Sequence, residues 1–219
     1  MYSNKTNIGI IGSGIVGQVL AKAFFWEGNP VMLGTRDTTK PDIQKWQAEN
    51  TGVAIGSFDA TAQFADIIVL AVGGSVAEAA LQLAGIANFD EKIVIDATNP
   101  ISKTPPVNGV LSFFTTYNES LMERIQALLP NAFVIKAFNS VGNAVMYKPK
   151  FRETPTMFIC GNNQAAKESV SSILTAFGWE IADMGAVEAA RAIEPLCILW
   201  CIPGMLQNEW YHAFKLLKP

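Results

Sequence analysis

Along most of this chain, short apolar runs alternate with stretches whose apolar residues recur every third or fourth position. A parallel sheet covered by helices needs that alternation, because its strands are buried on both faces and each helix on one. Ile8 to Ile11 reads as the first strand. A helix from Ile15 to Trp26 follows, with Val16, Val19, Leu20, Ala23 and Phe24 on one face and Gly28 as its stop. Further strands are expected at Val31–Gly34, Val53–Ile55, Ile67–Val72, Ile93–Asp96 and Phe133–Ala137. Helices are expected over Lys40–Asn50, Ala60–Phe64 (capped by Asp59), Val76–Leu83 and Glu119–Leu129, the last after a long loop from Ile101 to Tyr117. Thr156–Cys160 and Glu180–Asp183 read as two more strands around a helix from Gln164 to Phe177. Ala186 to Pro219 reads as helical, with breaks or kinks at Pro195 and Pro203. The fold class is therefore α/β, a doubly wound, mainly parallel sheet over residues 1–185. A small helical C-terminal part, 186–219, packs on it or on a second subunit.

The turn after the first strand makes that sheet a Rossmann-type one. Gly12-Ser13-Gly14-Ile15-Val16-Gly17 has the Gly-x-Gly-x-x-Gly spacing between a strand and a helix. Gly12 allows the tight turn, Gly14 lets backbone amides approach a pyrophosphate, and Gly17 lets helix and strand pack closely. The helix start adds free N–H groups and partial positive charge. The second strand ends in Thr35-Arg36-Asp37. A hydroxyl followed by a guanidinium suits the 2′-phosphate of NADP, which a carboxylate would repel. The alternative is that Arg36 is a solvated loop charge and Asp37 bonds the ribose of NAD.

Composition narrows the class. The chain has 219 residues, 50% hydrophobic and 16% charged, enough for a substantial core. A net charge of −3 without basic runs argues against a nucleic-acid partner. Uninterrupted apolar sequence of membrane-spanning length is not expected, and Met1 to Asn7 reads as a polar lead-in rather than a signal peptide. Three cysteines point to reduced thiols and a cytoplasmic setting.

Ligands of open α/β sheets bind beyond the carboxyl ends of the strands. Ala71-Val72-Gly73, Asn99-Pro100 and Asn139-Ser140 lie there and are candidates to flank a nicotinamide. Asn99 and Asn139 could direct amides or simply form turns. No acid–base pair stands out. His212 reads as a surface or packing residue, and Cys197 and Cys201 as a buried helix face rather than a metal site. Arg191 and Glu194, just before Pro195, suit either a salt bridge holding the tail or a substrate contact. Lys136 reads as emerging at the sheet edge.

Several of these blocks together resemble the deazaflavin (coenzyme F-420)-dependent NADP oxidoreductases. They are the glycine turn, Gly34-Thr35-Arg36, Ile95-Asp96-Ala97-Thr98-Asn99-Pro100, Val134-Ile135-Lys136-Ala137-Phe138-Asn139 and Ala190-Arg191-Ala192-Ile193-Glu194-Pro195-Leu196. The cytosolic domain of the six-transmembrane ferric reductases is similar too. The resemblance implies an NADP-binding domain, usually a homodimer, and direct hydride transfer between nicotinamide C4 and a flavin-like ring. Such chemistry relies on positioning and water exclusion more than on a proton donor. Thr35 and Arg36 would hold the 2′-phosphate, Val72 and Asn99-Pro100 would flank the nicotinamide, and Asn139-Ser140 would lie near the ring. Two positions depart from the family. Asp37 stands where a second basic residue is common, and Val72-Gly73-Gly74 replaces a bulkier loop, which should loosen the pocket. The resulting expectation is an NADPH-dependent oxidoreductase with a deazaflavin, flavin or small carbonyl acceptor. The alternative is a non-catalytic NADP(H) sensor that binds a partner through its apolar tail.

Overall fold

A computed structural model describes residues 5–217. Strands β1 (Ile8–Ile11), β2 (Val31–Gly34), β3 (Val53–Gly56), β4 (Ile67–Leu70), β5 (Ile93–Asp96) and β6 (Phe133–Lys136) form a 6-stranded sheet in the order β3-β2-β1-β4-β5-β6. Every pairing in it is parallel. The order reverses at β1, so the crevice of a doubly wound sheet opens beside the glycine turn. The connecting helices are α1 (Ile15–Trp26), α2 (Pro41–Glu49), α3 (Phe58–Phe64), α4 (Ala77–Ala84) and α5 (Leu121–Leu128). Strands β7 (Thr156–Ile159) and β8 (Glu180–Asp183) pair with each other around α6 (Gln164–Ala176). This small sheet meets the large one where the Lys136 amide donates to the Cys160 carbonyl at 3.0 Å.

The strand sequences explain the layers. Alternate residues face opposite sides. Ile10, Val69, Ile95 and Ile135 join one core with Leu20, Phe24, Leu174 and Phe177, beneath α1 and α6. Their neighbours Ile11, Ile68, Leu70, Val94 and Val134 join the other with Phe58, Leu81, Leu121 and Ile125, beneath α3, α4 and α5. Both faces are buried, so the strands read as unbroken apolar runs.

Several boundaries differ from expectation. Strand β4 ends at Leu70, and Ala71 and Val72 begin the loop. The cap of α3 is Ser57, whose hydroxyl accepts the Ala60 N–H at 3.2 Å; Asp59 lies inside the helix and bonds Gln63 and Asn88 instead. Helix α5 starts two residues later than expected because Ser120 and Glu123 form a reciprocal capping box.

The tail is the largest departure. It forms α7 (Ala190–Ile193) and α8 (Leu196–Gln207), divided at Glu194-Pro195, while Pro203 is accommodated inside α8. Asn208 then takes a left-handed conformation, φ 58°, and ends the helix. Residues 209–217 run back non-helically, the carbonyl of Phe214 taking the Thr156 N–H at 2.9 Å and that of His212 taking the Trp200 indole N–H at 2.9 Å. The helical stretch Val187–Gln207, with mean hydropathy 1.4, is also long and apolar enough to cross a membrane by length and composition. The scattered charges at Glu188, Arg191 and Glu194 hide that stretch from a search for unbroken apolar sequence. In the fold, 33% of it is buried.

Candidate functional site

The glycine turn is built as its spacing predicts. Gly12 has φ +122°, and a Cβ there would lie 2.4 Å from the Ala71 carbonyl oxygen and 2.9 Å from a Val72 methyl. A Cβ on Gly17 would lie 1.8 Å from the Gly12 carbonyl oxygen, so only glycine lets α1 sit this close to β1. Gly14 is the N-cap of α1, and a Cβ there would meet open space. No side chain caps this helix. Its first N–H groups and its dipole therefore face an open cradle, a fit for a diphosphate. Ser13 and Val16 are half-buried at this mouth, and Ile15 is exposed.

The end of β2 completes one side of the cradle. Thr35 is 4% exposed, and its hydroxyl oxygen accepts from the Ser13 hydroxyl at 3.1 Å. Its side chain thus ties the glycine turn to β2, while the exposed Arg36 beside it has no ion-pair partner among the described residues. Asp37 is engaged elsewhere. One of its oxygens accepts the Thr39 hydroxyl at 2.7 Å and the Thr39 N–H at 2.9 Å. These bonds hold its carboxyl below the ordinary aspartate range.

The remaining strand ends touch one another in a row. Gly12 abuts Ala71 and Val72, as above. A Cβ on Gly74 would lie 1.9 Å from the Asn99 carbonyl oxygen, so this glycine seats the β4 loop tightly against the β5 loop. The expected loosening is confined to Gly73, where a Cβ would meet open space. The Asn99 amide donates to the Asn139 carbonyl at 2.7 Å, and the Asn139 amide donates back to Asn99 Oδ1 at 3.2 Å. Pro100 is buried and its carbonyl takes the Phe114 N–H at 2.8 Å, which draws the long loop over this end of the sheet. Ser140 is buried behind Asn139. Between β6 and Asn139 lies Phe138 with φ +63°, a conformation bulky residues rarely adopt. Strain of this kind persists where the surroundings enforce it. Here Phe138 is fully packed near Phe177 and its N–H meets the Met157 sulfur at 3.2 Å.

Beneath this row sits a buried ion cluster that the sequence did not reveal. Lys136 does not emerge at an edge; it is 0% exposed. Its ammonium has three protons to donate. It donates to the Thr98 carbonyl at 3.0 Å and forms ion pairs with Asp96 Oδ2 at 2.6 Å and Glu194 Oε1 at 2.8 Å. Burial pulls the lysine pKa down, but the two carboxylates together hold it above the ordinary value. The other Asp96 oxygen accepts the Thr98 N–H and hydroxyl, at 2.9 and 2.7 Å. Glu194 also accepts the Leu121 and Met122 N–H groups, each at 3.0 Å, where the positive end of α5 favours a carboxylate. Glu194 is thus an internal anchor, while Arg191 pairs with Glu123 at the surface. A usable signal existed: Asp96 and Lys136 are opposite charges in register at the ends of adjacent buried strands.

The other candidates are structural. His212 stacks on Trp200 at 4.9 Å and bonds its backbone. Cys197 and Cys201 are buried in α8, and no metal-ligating cluster occurs among the described residues. A cavity of about 610 Å³ opens at the opposite, amino end of the sheet, beside Ile8, Ile67 and Phe177. A groove of about 540 Å³ adjoins the row itself, walled by Gly74, Ser75, Ile101 and Phe114 with Glu78, Lys103 and Arg124 also lining it.

Residues 7–100, from β1 through the β5 loop, match the family described as NADP oxidoreductase, coenzyme F420-dependent. This part of the chain is similar to that family of NADP-dependent oxidoreductases. A crystal structure of a candidate F420-dependent NADP-reductase from Arthrobacter sp. FB24 superposes with a TM-score of 0.91 at 28% identity, covering 98% of this chain and 100% of that one. A hypothetical protein from Sinorhizobium meliloti shares the fold, with a TM-score of 0.71 at 23% identity over 99% of this chain and 97% of that one. Metalloreductase STEAP3 of Rattus norvegicus is 27% identical over 216 residues, 94% of this chain. The present chain spans 40% of that relative's length.

Proposed function

We propose that the chain is an NADPH-dependent oxidoreductase that lays the dinucleotide along the carboxyl edge of its sheet and passes hydride to a small acceptor. The observation that carries this reading is the contiguous row from the open cradle at Gly14 to the Asn99–Asn139 pair. The backbone of Gly12, Ser13, Gly14, Ile15, Val16 and Gly17 holds the diphosphate. Arg36 holds the 2′-phosphate, with Thr35 fixing the turn beside it. Ala71, Val72 and Gly73 flank the nicotinamide on one side, and Asn99, Pro100, Asn139 and Ser140 on the other. The bound nicotinamide supplies the hydride carrier. The residues of this chain contribute orientation and exclusion of water.

The 540 Å³ groove beside Gly74 and Phe114 is the proposed acceptor site. A flavin, a deazaflavin or a small carbonyl compound suits a groove with an aromatic wall at Phe114 and charged groups of both signs beside it. Stopped-flow mixing of the protein and NADPH with deazaflavin, FMN, FAD, quinones and small carbonyls tests this. Rapid oxidation of NADPH with one acceptor class is the expected result. No oxidation with any of them overturns the enzyme reading in favour of a non-catalytic NADP(H)-binding protein.

The same reading takes the working form as a cytoplasmic homodimer. It is supported by three free, buried thiols and by exposed Leu199, Met205 and Leu206 on α8, beside Val107 and Val110. Sedimentation at micromolar concentration should give a dimer, and a monomer overturns that part.

A further inference from the structure

We propose that Asn139 is a positioning residue for the nicotinamide: held by the carbonyl of Ile193 in the tail, it fixes which end of the Asn99 amide donates and which accepts at that end of the cleft. The inference rests on the NADP(H) site proposed above.

The two ends of an asparagine amide have nearly the same shape and opposite hydrogen-bonding character. A half-buried Asn99 on its own could present either end to a ligand. Here it is gripped at both ends, since its Nδ2 donates to the Asn139 carbonyl and its Oδ1 receives the Asn139 amide. Asn139 is in turn unable to reverse. Its Nδ2 also donates to the Ile193 carbonyl at 3.0 Å, so a flipped amide would set an oxygen against two acceptors.

The tail makes that carbonyl available. In a continuous helix the Ile193 carbonyl would accept the N–H of Cys197. The division at Pro195 instead has the Cys197 N–H bonding Glu194 at 2.9 Å, which frees Ile193 for Asn139. The anchoring of Glu194 on Lys136 and on the start of α5 holds the break in place.

Two costs converge on the same corner. Asn139 Oδ1 is buried without a hydrogen-bond partner, and the preceding Phe138 is left-handed. Buried asparagines that serve only as turns are normally fully satisfied. An arrangement that tolerates both costs holds one amide orientation at the cleft. Asn99 keeps a second amide proton and a second lone pair, and these match a carboxamide, which carries both a donor and an acceptor.

The test compares binding of NADPH with binding of 2′,5′-ADP, which carries the 2′-phosphate and lacks the nicotinamide. Calorimetry uses the full chain as wild type, Asn139→Asp, Asn99→Ala and the double variant. Asn139→Asp sets an oxygen against Asn99 Oδ1 and Ile193. Each single variant should weaken NADPH by about tenfold and leave 2′,5′-ADP within about twofold. The double variant should be no worse than the singles, because both act through one amide. Emission of the bound nicotinamide should shift toward that of free NADPH in each variant. Should Asn139→Asp fail to fold, Asn99→Ala leaves the Asn139–Ile193 bond intact and carries the same comparison. Equal loss of both ligands, or unchanged NADPH affinity, overturns the proposal. A wild type that fails to bind 2′,5′-ADP overturns the dinucleotide site itself, and a wild type that binds NADPH no better than 2′,5′-ADP overturns only the nicotinamide inference.

Discussion

The two ends of the cleft are built in opposite ways. At the end proposed for the phosphates, the glycine turn and Thr35 are joined across 22 positions of sequence, and Arg36 stands exposed on a loop. At the end proposed for the nicotinamide, contacts span 38 positions from Lys136 to Thr98, 54 from Asn139 to Ile193 and 73 from Leu121 to Glu194, and nearly every group is buried. The first end works through backbone shape and one solvated cation. The second works through charges that have left water and must satisfy one another. Removing the charge of Arg36 should therefore act on binding, and removing that of Lys136 on folding.

Lys136→Met tests the contrast most severely. It leaves Asp96 and Glu194 buried without their cation, and denaturant unfolding should show a loss of about 3–5 kcal/mol. The same lysine gives the comparison a pH signature. Its folded pKa lies above the ordinary 10.5, so its contribution is complete below about pH 10.5 and falls away as pH rises through the raised value. Wild-type stability should decline at alkaline pH, and the Met variant should lack that component of the decline.

At the other end, Arg36→Ala should weaken NADPH by about ten- to hundredfold, equivalent to about 1.5–3 kcal/mol, with NADH and the unfolding midpoint nearly unchanged. Equal losses for the two nucleotides would return the ribose to Asp37. The glycine turn should separate shape from stability within a few residues. Gly17→Ala forces a methyl onto the Gly12 carbonyl and should cost about 1–3 kcal/mol of stability along with binding. Gly14→Ala has open space and should keep its midpoint while losing NADPH affinity. The smallest effect belongs to Arg191→Ala, which removes a surface partner of Glu123 and should leave the unfolding midpoint nearly unchanged.

Legibility followed the same division. Strand β1, the glycine turn and α1 lie where their local pattern places them, because turn geometry and two-sided burial act within a few residues. The tail after Gln207 was misread as helix, since its fate depends on Trp200, Trp210 and β7 rather than on its own propensities. Glu194 was left between two roles for the same reason. Nothing near it in sequence announces that it reaches Lys136 and the start of α5.

By itself, the sequence determined a doubly wound sheet and a glycine turn between its first strand and first helix. Each depends on residues that are neighbours along the chain. Only the tertiary structure decided that Lys136 is the centre of a buried cluster and that Ile193 sets the Asn139 amide. Those roles arise where segments far apart in sequence exclude water together, and in that setting a charge or an amide is defined by its partners.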